Sequence, residues 1–177
     1  YTGTDCDATV NYCVFSGNSA TEEGGGMRNA GNDTEVIHSV FYENNAGSDG
    51  GGISNFRTNS TFKYCVFKNN LANNGGGLHV YDFDHHNYVE NCIFHNNVAS
   101  VNGGAVYTES GDRDLFLTNC NLIDNSAIGG GAIFKLGAHE CKAANCIIWN
   151  NSLDQIAGAV EALHSNIMNG WPGAGNL

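Results

Sequence analysis

One stretch, from Asn91 to Tyr107, recurs in variant form along nearly the whole chain. The copies align on a small residue near the start of the stretch, and successive copies begin 26, 26, 27, 28 and 26 residues apart. These anchor residues are Cys13, Ser39, Cys65, Cys92, Cys120 and Cys146. A fixed period of this length predicts a solenoid, because each repeat is too small to bury its own apolar face and must stack on its neighbours.

Each anchor is followed at fixed distances by residues of constant type. Two positions on, the residue is apolar: Phe15, Phe41, Phe67, Phe94, Leu122 and Ile148. Five positions on, it is always asparagine: Asn18, Asn44, Asn70, Asn97, Asn125 and Asn151. Seven positions on come Ala20, Ala46, Ala72, Ala99 and Ala127, until Leu153 breaks the series. A glycine cluster and one apolar residue then follow, from Gly-Gly-Gly-Met27 to Gly-Gly-Ala-Ile133.

The residue types within the repeat exclude a helical solenoid. Each glycine in a helix interior costs about 1 kcal/mol, and the chain has 24 glycines, many of them clustered. Cys92 and Phe94 are instead spaced like neighbouring inward residues of a strand. Short strands separated by Asn and Gly turns predict a parallel β-helix in which equivalent residues lie about 4.8 Å apart along the axis.

This fold gives each column of residues a structural role. The Cys and Phe columns are predicted to point inward and form a continuous core. The Asn column suits turns, because asparagine tolerates left-handed backbone geometry and its amide can bond the next asparagine in the stack. The glycines suit tight corners.

The sequence also resembles a known family. The segments Phe-Ser-Gly-Asn18, Phe-Tyr-Glu-Asn44, Phe-Lys-Asn-Asn70 and Phe-His-Asn-Asn97 are each followed by two glycines, a Gly or Ala and an apolar residue. They resemble the FxxN and GGA(I/L/V) repeats of chlamydial polymorphic outer-membrane proteins. More broadly, the chain resembles secreted bacterial right-handed parallel β-helix proteins of the pectin-lyase-like superfamily. That superfamily contains lyases, hydrolases, adhesins and structural proteins, so the resemblance implies a fold but no single activity.

We therefore predict an all-β chain, a right-handed parallel β-helix of about six to seven coils with 26–28 residues per coil. Residues 1–177 form one domain: 1–10 an incomplete first coil, 11–152 regular coils, and 153–177 a shortened terminal coil with a C-terminal closure. The pair His164-Ser165 repeats His38-Ser39 and marks the shortened coil. Pro172, the only proline, suits the edge of a sheet, because it cannot donate to a ladder.

Charge and hydropathy limit the partners. The net charge is −11, with only seven Lys and Arg, so the basic surface that nucleic-acid binding requires is missing. No apolar run is long enough to insert into a membrane, and anionic membranes would repel so acidic a surface. We expect a secreted or cell-surface protein.

The seven cysteines fall into two groups. Cys13, Cys65, Cys92, Cys120 and Cys146 share the anchor column, where packed thiols are expected and disulfides between neighbouring coils remain an alternative. Cys6 and Cys141 lie off this column and are the candidates for a disulfide or an intermolecular bond. No CxxC motif is present, which argues against a thiolate metal site.

Chemistry is expected in the variable segments between each glycine cluster and the next anchor. Stacking would bring Asp82, Asp84, Asp112 and Asp114 together, with His86 nearby. Carboxylates are ligands that Ca²⁺ prefers, and paired Asp and His groups can transfer protons. A solvated polar turn face is the simpler interpretation. Pectate-lyase-like catalysis would also need a basic residue, and only Arg57 and Arg113 are available in that region.

Two classes of function follow. The leading hypothesis is a non-enzymatic extracellular β-solenoid, acting as a cell-surface, adhesin-like or filament-forming module. Its partners would be further copies stacked end to end, or the rest of a longer solenoid chain. The alternative is a polysaccharide lyase, hydrolase or glycan-binding module that uses the acidic loop face around Asp82–Asp114. Enzymatic activity is the weaker hypothesis, because the repeat columns account for most of the distinctive residues.

Overall fold

The repeat folds into short parallel strands that stack coil upon coil in a computed structural model of the chain. The structure describes residues 7–30, 33–56, 59–82, 86–110 and 114–177, with the side chains of Asp82 and Ser110 left aside. Within these ranges the regular structure consists of strands and contains no helix. The prediction of an all-β parallel β-solenoid is confirmed.

The strands are two to five residues long. The first two coils contain β1 (Thr9–Asn11), β2 (Val14–Ser16), β3 (Ser19–Ala20), β4 (Met27–Asn29), β5 (Glu35–Ile37), β6 (Val40–Tyr42), β7 (Asn45–Ala46) and β8 (Ile53–Phe56). The next two contain β9 (Thr61–Lys63), β10 (Val66–Lys68), β11 (Leu71–Asn74), β12 (Leu78–Asp82), β13 (Asn87–Glu90), β14 (Ile93–His95), β15 (Val98–Asn102) and β16 (Val106–Ser110). The last coils contain β17 (Leu115–Thr118), β18 (Asn121–Ile123), β19 (Ile133–Leu136), β20 (Cys141–Ala144), β21 (Ile147–Trp149), β22 (Ile156–Ala157), β23 (Val160–Leu163) and β24 (Asn166–Ile167).

Equivalent strands pair into four parallel sheets, which we call faces 1 to 4 in the order in which the chain crosses them. Face 1 is β1-β5-β9-β13-β17-β20-β23 and face 2 is β2-β6-β10-β14-β18-β21-β24. Face 3 is β3-β7-β11-β15 and face 4 is β4-β8-β12-β16-β19-β22. The solenoid makes about five complete turns, fewer than the six to seven predicted. The reason is that beyond β15 the third face continues only as isolated bridges, and the last coil is shortened.

The core is a set of stacked columns in the predicted register. Phe15, Phe41, Phe67 and Phe94 pair in sequence along face 2. Their rings stack nearly parallel with centroids 4.8, 5.1 and 4.6 Å apart. Phe41, Phe67 and Phe94 are fully buried. Each coil therefore buries its aromatic ring mainly against the coils above and below it, which makes stability a property of the stack.

The asparagine column forms a hydrogen-bonded ladder at the corner between faces 2 and 3. The Oδ1 atom of Asn97 accepts bonds from the backbone N–H and the side-chain amide of Asn70, at 3.1 and 2.9 Å. The Nδ2 atom of Asn97 donates to Asn125 Oδ1 and to the carbonyl of Phe67, both at 2.9 Å. The same pattern joins Asn44 to Asn70 and Asn125 to Asn151. The ladder satisfies polar groups that the turn would otherwise bury without partners.

The three positions of the glycine cluster have different constraints. The first has a left-handed backbone in every coil, with φ between +56° and +69° at Gly24, Gly50, Gly75, Gly103 and Gly130. The second lies under the next coil: a Cβ at Gly76 would be 2.6 Å from the carbonyl oxygens of both Val98 and Gly104. The third accepts a methyl group, since the chain has Ala105 and Ala132 there. In the earlier coils this third residue is a glycine that the next coil approaches as closely as the second, since a Cβ at Gly52 would be 2.5 Å from the carbonyl oxygen of Gly77.

The last coil is covered by the chain's own C-terminal segment. Asn176 Nδ2 donates to the carbonyl of Ala162 at 2.9 Å, and its Oδ1 accepts from the backbone N–H of Ser165. Trp171 Nε1 donates to the carbonyl of Val160 at 3.2 Å. These bonds engage edge groups of β23 and its continuation, so that the edge does not remain open for a further strand.

Candidate binding surfaces

The predicted acidic loop face is described only in part. Asp84 and Asp112 lie outside the described residues, as does the side chain of Asp82. Asp114 is described: its Oδ1 accepts a bond from the backbone N–H of Glu140 at 2.9 Å, and its Oδ2 lies 3.5 Å from Nδ1 of His86. Asp114 and His86 are therefore neighbours at this corner. The calcium site formed by the four aspartates stays a prediction, and within the described ranges no group of three metal-binding side chains occurs.

Aromatic rings flank Asp114 on face 1. Tyr88 stacks on Phe116 with centroids 5.4 Å apart, and His86 lies tilted 5.8 Å from the same ring. Tyr88 is 36% exposed. Stacked rings beside a carboxylate and an imidazole form a surface that could bind the apolar side of a sugar ring.

The anchor cysteines Cys65, Cys92, Cys120 and Cys146 are buried free thiols. Cys65 Sγ donates to the carbonyl of Val36 in the preceding coil, and Cys120 Sγ donates to that of Val89. Cys141 is also free, and it lies inside face 1, 1% exposed. Cys6 lies outside the described residues, so its participation in a disulfide or an intermolecular bond stays a prediction.

Burial of Cys141 predicts a loss of stability at alkaline pH. Desolvation raises the pKa of this thiol from its ordinary value of 9.0 to about 12. A thiol with a raised pKa stabilises the fold below pH 9, and this contribution is lost as the pH rises from 9 toward 12, because the unfolded chain releases the proton first. At pH 10.5 the free energy of unfolding should be about 2 kcal/mol lower on this account. Urea unfolding at pH 8 and 10.5 should show a smaller decrease for Cys141→Ala than for the natural chain; equal decreases would contradict the prediction.

A second polar ladder lies inside the corner between faces 4 and 1. Asn29 Nδ2 donates to Asn55 Oδ1 at 2.7 Å, and Asn55 Nδ2 donates to Asn87 Oδ1 at 2.9 Å. Ser60 Oγ donates to Asn55 Oδ1 at 3.0 Å. These four side chains are at most 1% exposed. This internal ladder was not identified from the sequence. The alternation of side chains along a strand could have predicted their inward orientation, because Asn29 and Asn55 each lie two positions after an inward apolar residue.

On the exterior of face 4, several side chains that point outward from the strands are nevertheless buried. The outward column runs Arg28, Ser54, His79, Tyr107 and Phe134 in direct register. Ser54 is fully buried, and His79 and Tyr107 are 3% and 5% exposed. Glu23 covers one end of the column: its Oε2 atom lies 3.0 Å from Arg28 Nε and 3.4 Å from Ser54 Oγ. This surface was not identified from the sequence.

His79, Glu109 and Tyr107 form an ionisable cluster on this surface. His79 Nε2 lies 3.4 Å from Glu109 Oε1, and the imidazole of His79 lowers the pKa of Glu109, as does the hydroxyl of Tyr107. Tyr107 donates its hydroxyl to Glu109 Oε2 at 2.9 Å, and burial raises the pKa of this phenol. Neither ring nitrogen of His79 has a hydrogen-bond partner within the described part of the chain. A buried imidazole without hydrogen bonds lowers the stability of the fold, and a hydrogen bond to a polar group of a partner would recover that free energy.

Half-buried aromatic rings adjoin the cluster. Phe56 and Tyr81 stack with centroids 4.9 Å apart, and the guanidinium of Arg28 lies 5.5 Å from the centre of the Phe56 ring. Tyr107 contacts Phe134 at 5.7 Å between centroids. We call this surface, formed by Arg28, Phe56, His79, Tyr81, Tyr107, Glu109 and Phe134, the face 4 strip.

Fold and columns together define a parallel β-solenoid repeat protein. The family model of the Chlamydia polymorphic membrane protein repeat matches residues 91–109, from the turn before β14 into β16. The chain therefore carries a repeat of this type, as the resemblance predicted. The chain itself matches neither a curated protein nor a solved structure. The broader pectin-lyase-like resemblance stays a prediction. Of the residues described, none lies in a helix long and apolar enough to cross a membrane.

Proposed function

We propose that the chain is a non-enzymatic, surface-exposed structural module with an adhesin-like role, and that a partner contacts it through the face 4 strip. The proposal rests on a contrast between the columns that hold the coils together and the side chains on the exterior of face 4. The Asn, Cys and Phe columns bond and pack one coil to the next. The face 4 strip instead combines exterior aromatic rings with the His79–Glu109 contact, in which neither nitrogen of the imidazole makes a hydrogen bond within the described residues. The matched repeat is named for a membrane protein of Chlamydia, which supports a place at the cell surface.

The test is adhesion of protein-coated fluorescent beads to cultured epithelial cells. Tyr81→Ser removes a ring of the face 4 strip, whereas Tyr88→Ser removes a comparable stacked ring from face 1. We expect Tyr81→Ser to lower bead binding about tenfold, the effect of losing one aromatic anchor, and Tyr88→Ser to leave it unchanged. Binding no better than that of albumin-coated beads, or equal losses in both variants, would refute the proposal.

A second candidate is a glycan-binding or polysaccharide-cleaving module that uses the acidic loop face around Asp114. The stacked Tyr88 and Phe116 rings beside Asp114 and His86 favour it. A glycan array and a polysaccharide-cleavage assay, each with and without Ca²⁺, test this candidate. Signals that vanish in Asp114→Ala would support it, and calcium-dependent binding would support a metal site in this loop face. If neither assay gave a signal under any condition, the glycan-binding and polysaccharide-cleaving candidate would be excluded, and the adhesin-like module would remain as the proposed function.

Self-assembly is the third element of the proposal. Among the described residues, β1 to β4 pair with strands on one side only, and Tyr12 and Val14 in this coil are 75% and 69% exposed. Such an edge can receive the strands of a second copy or of a longer solenoid chain. Negative-stain electron microscopy, with and without calcium and reductant, would show filaments in the first case. Dispersed single particles would exclude end-to-end stacking of this chain alone.

A further inference from the structure

A buried lysine marks a cavity near the C-terminal end of the solenoid. Lys135 lies in β19 and continues the inward column of the face 4–face 1 corner, after Asn55, Val80 and Thr108. The side chain is placed where earlier coils have amide, methyl and hydroxyl groups, and the residue is only 6% exposed. A lysine at this inward position is unusual, because burying an ammonium group is costly unless an anion accompanies it.

The cavity exists because the following coil is short at this corner. In register, Ile133 pairs with Ile156 and Cys141 pairs with Val160. The chain therefore uses eight residues for this corner in one coil (141 − 133) and four in the next (160 − 156). The shorter corner leaves a cavity of about 250 Å³, lined among others by Lys135, His139, Glu140, Cys141, Lys142 and Glu161.

The ammonium group of Lys135 has few partners in this cavity. Lys135 Nζ donates one bond, to the carbonyl of Gly137 at 2.7 Å, and it forms no ion pair with a carboxylate of the described residues. A lysine has three donors, so two are available. Glu140 and Glu161 are both engaged by Lys142, at 2.6 and 3.6 Å, on the exposed rim. Asp114, one coil away, is bonded to the backbone N–H of Glu140 and faces His86.

The neighbouring thiol and imidazole do not supply the missing anion. Burial raises the pKa of Cys141 to about 12, so this thiol is neutral at physiological pH. His139 is 5% exposed and its Nε2 atom lies 3.2 Å from Thr108 Oγ1. Two lysines and two glutamates otherwise line the cavity, and the described strand β19 adds no acidic side chain. Of the lysines and glutamates that line the cavity, Lys135 therefore has no ion-pair partner among the described residues, whereas Lys142 pairs with both glutamates.

We propose that this cavity binds a small monocarboxylate, whose carboxylate group bonds the ammonium of Lys135. A carboxylate forms short charge-assisted bonds to an ammonium group and would be the ion-pair partner that Lys135 lacks. The volume corresponds to about eight water molecules at roughly 30 Å³ each, so the ligand is a small acid. A phosphate dianion fits less well, because Glu140 and Glu161 are at the rim. This site is independent of the face 4 strip and of the adhesin-like role.

The test is titration of the purified chain with sodium acetate, with sodium phosphate and sodium chloride at matched ionic strength as comparisons. In ¹H–¹³C spectra of the natural chain, acetate should shift the side-chain resonances of Lys135 saturably and leave those of Lys63, an exterior lysine paired with Glu90, unchanged. Acetate should also raise the Tm by about 3 °C more than the other two salts. Equal effects of all three salts, or no saturable shift at Lys135, would overturn the proposal.

Two variants separate the site from the fold. Lys135→Met keeps the length of the side chain and removes the charge, so acetate binding should weaken at least about tenfold, the effect of losing one charge-assisted contact. Without acetate this variant should melt at or above the temperature of the natural chain, because an unpaired buried charge has been removed. Lys63→Met should bind acetate as the natural chain does. Undiminished binding in Lys135→Met would refute the assignment, and the spectra of the natural chain decide the question even if that variant does not fold.

Discussion

Replacing Asn97 with alanine should lower the free energy of unfolding by about 4 kcal/mol. The substitution removes four side-chain hydrogen bonds, two accepted by Oδ1 and two donated by Nδ2. It leaves the buried backbone N–H of Asn70 and the carbonyl of Phe67 without these partners, and each buried polar group left unpaired costs about 1–3 kcal/mol. Because Asn97 is fully buried, water cannot replace the lost bonds. Urea unfolding followed by circular dichroism measures the difference.

The matched control is Asn121→Ala. Asn121 belongs to the neighbouring strand β18, in register with Ile93 and Ile147 on the exterior of face 2. Its side chain forms no hydrogen bond within the described residues, and an outer substitution of this kind changes stability by about 0.5 kcal/mol or less. If both variants lost the same small amount, the asparagine ladder would be a consequence of the stack and would contribute little to its stability.

The sequence predicted the columns that repeat at a constant spacing from the anchor. Phe67 and Phe94 were placed in register because nothing varies in length between anchor and aromatic residue. The same argument extended to Ser165, whose Oγ accepts the backbone N–H of Cys146 at 3.0 Å as Ser39 does for Cys13. Where the distance from the anchor is fixed, the position of a residue in one copy of the repeat predicts the position of its equivalents in all the others.

Prediction failed where the repeat changes length. The segments between the glycine cluster and the next anchor vary in length, so the spacing from the anchor did not predict which of their polar residues point inward. The structure buries Asn55, Ser60 and Asn87 in an internal ladder. The face 4 strip was missed for another reason: His79 and Tyr107 point outward by strand parity, and their burial depends on neighbours from other coils. Burial of that kind is a tertiary property that the local pattern does not contain.

The glycine clusters allow the sharpest test of the stacked architecture. Gly76→Ala should destabilise the chain by about 3 kcal/mol or more, because its Cβ would meet two carbonyl oxygens, of Val98 and Gly104, at 2.6 Å. Both oxygens belong to the backbone of the next coil, which is itself bonded to Gly76 and Gly77. A side chain could rotate away from an added methyl group, whereas this backbone can move only if neighbouring coils separate. Urea unfolding of the variant would measure the effect.

Gly17→Ala separates this close approach from ordinary glycine flexibility. Gly17 has φ +65°, so alanine there is strained, but a Cβ at that position would meet nothing within 4 Å. The cost should be about 1 kcal/mol, the usual difference for a left-handed residue. If Gly76→Ala and Gly17→Ala were equally costly, the second glycine of the cluster would be needed only for its backbone freedom. A threefold larger cost at Gly76, which lacks a positive φ, would show that the coils stack too closely there for any side chain.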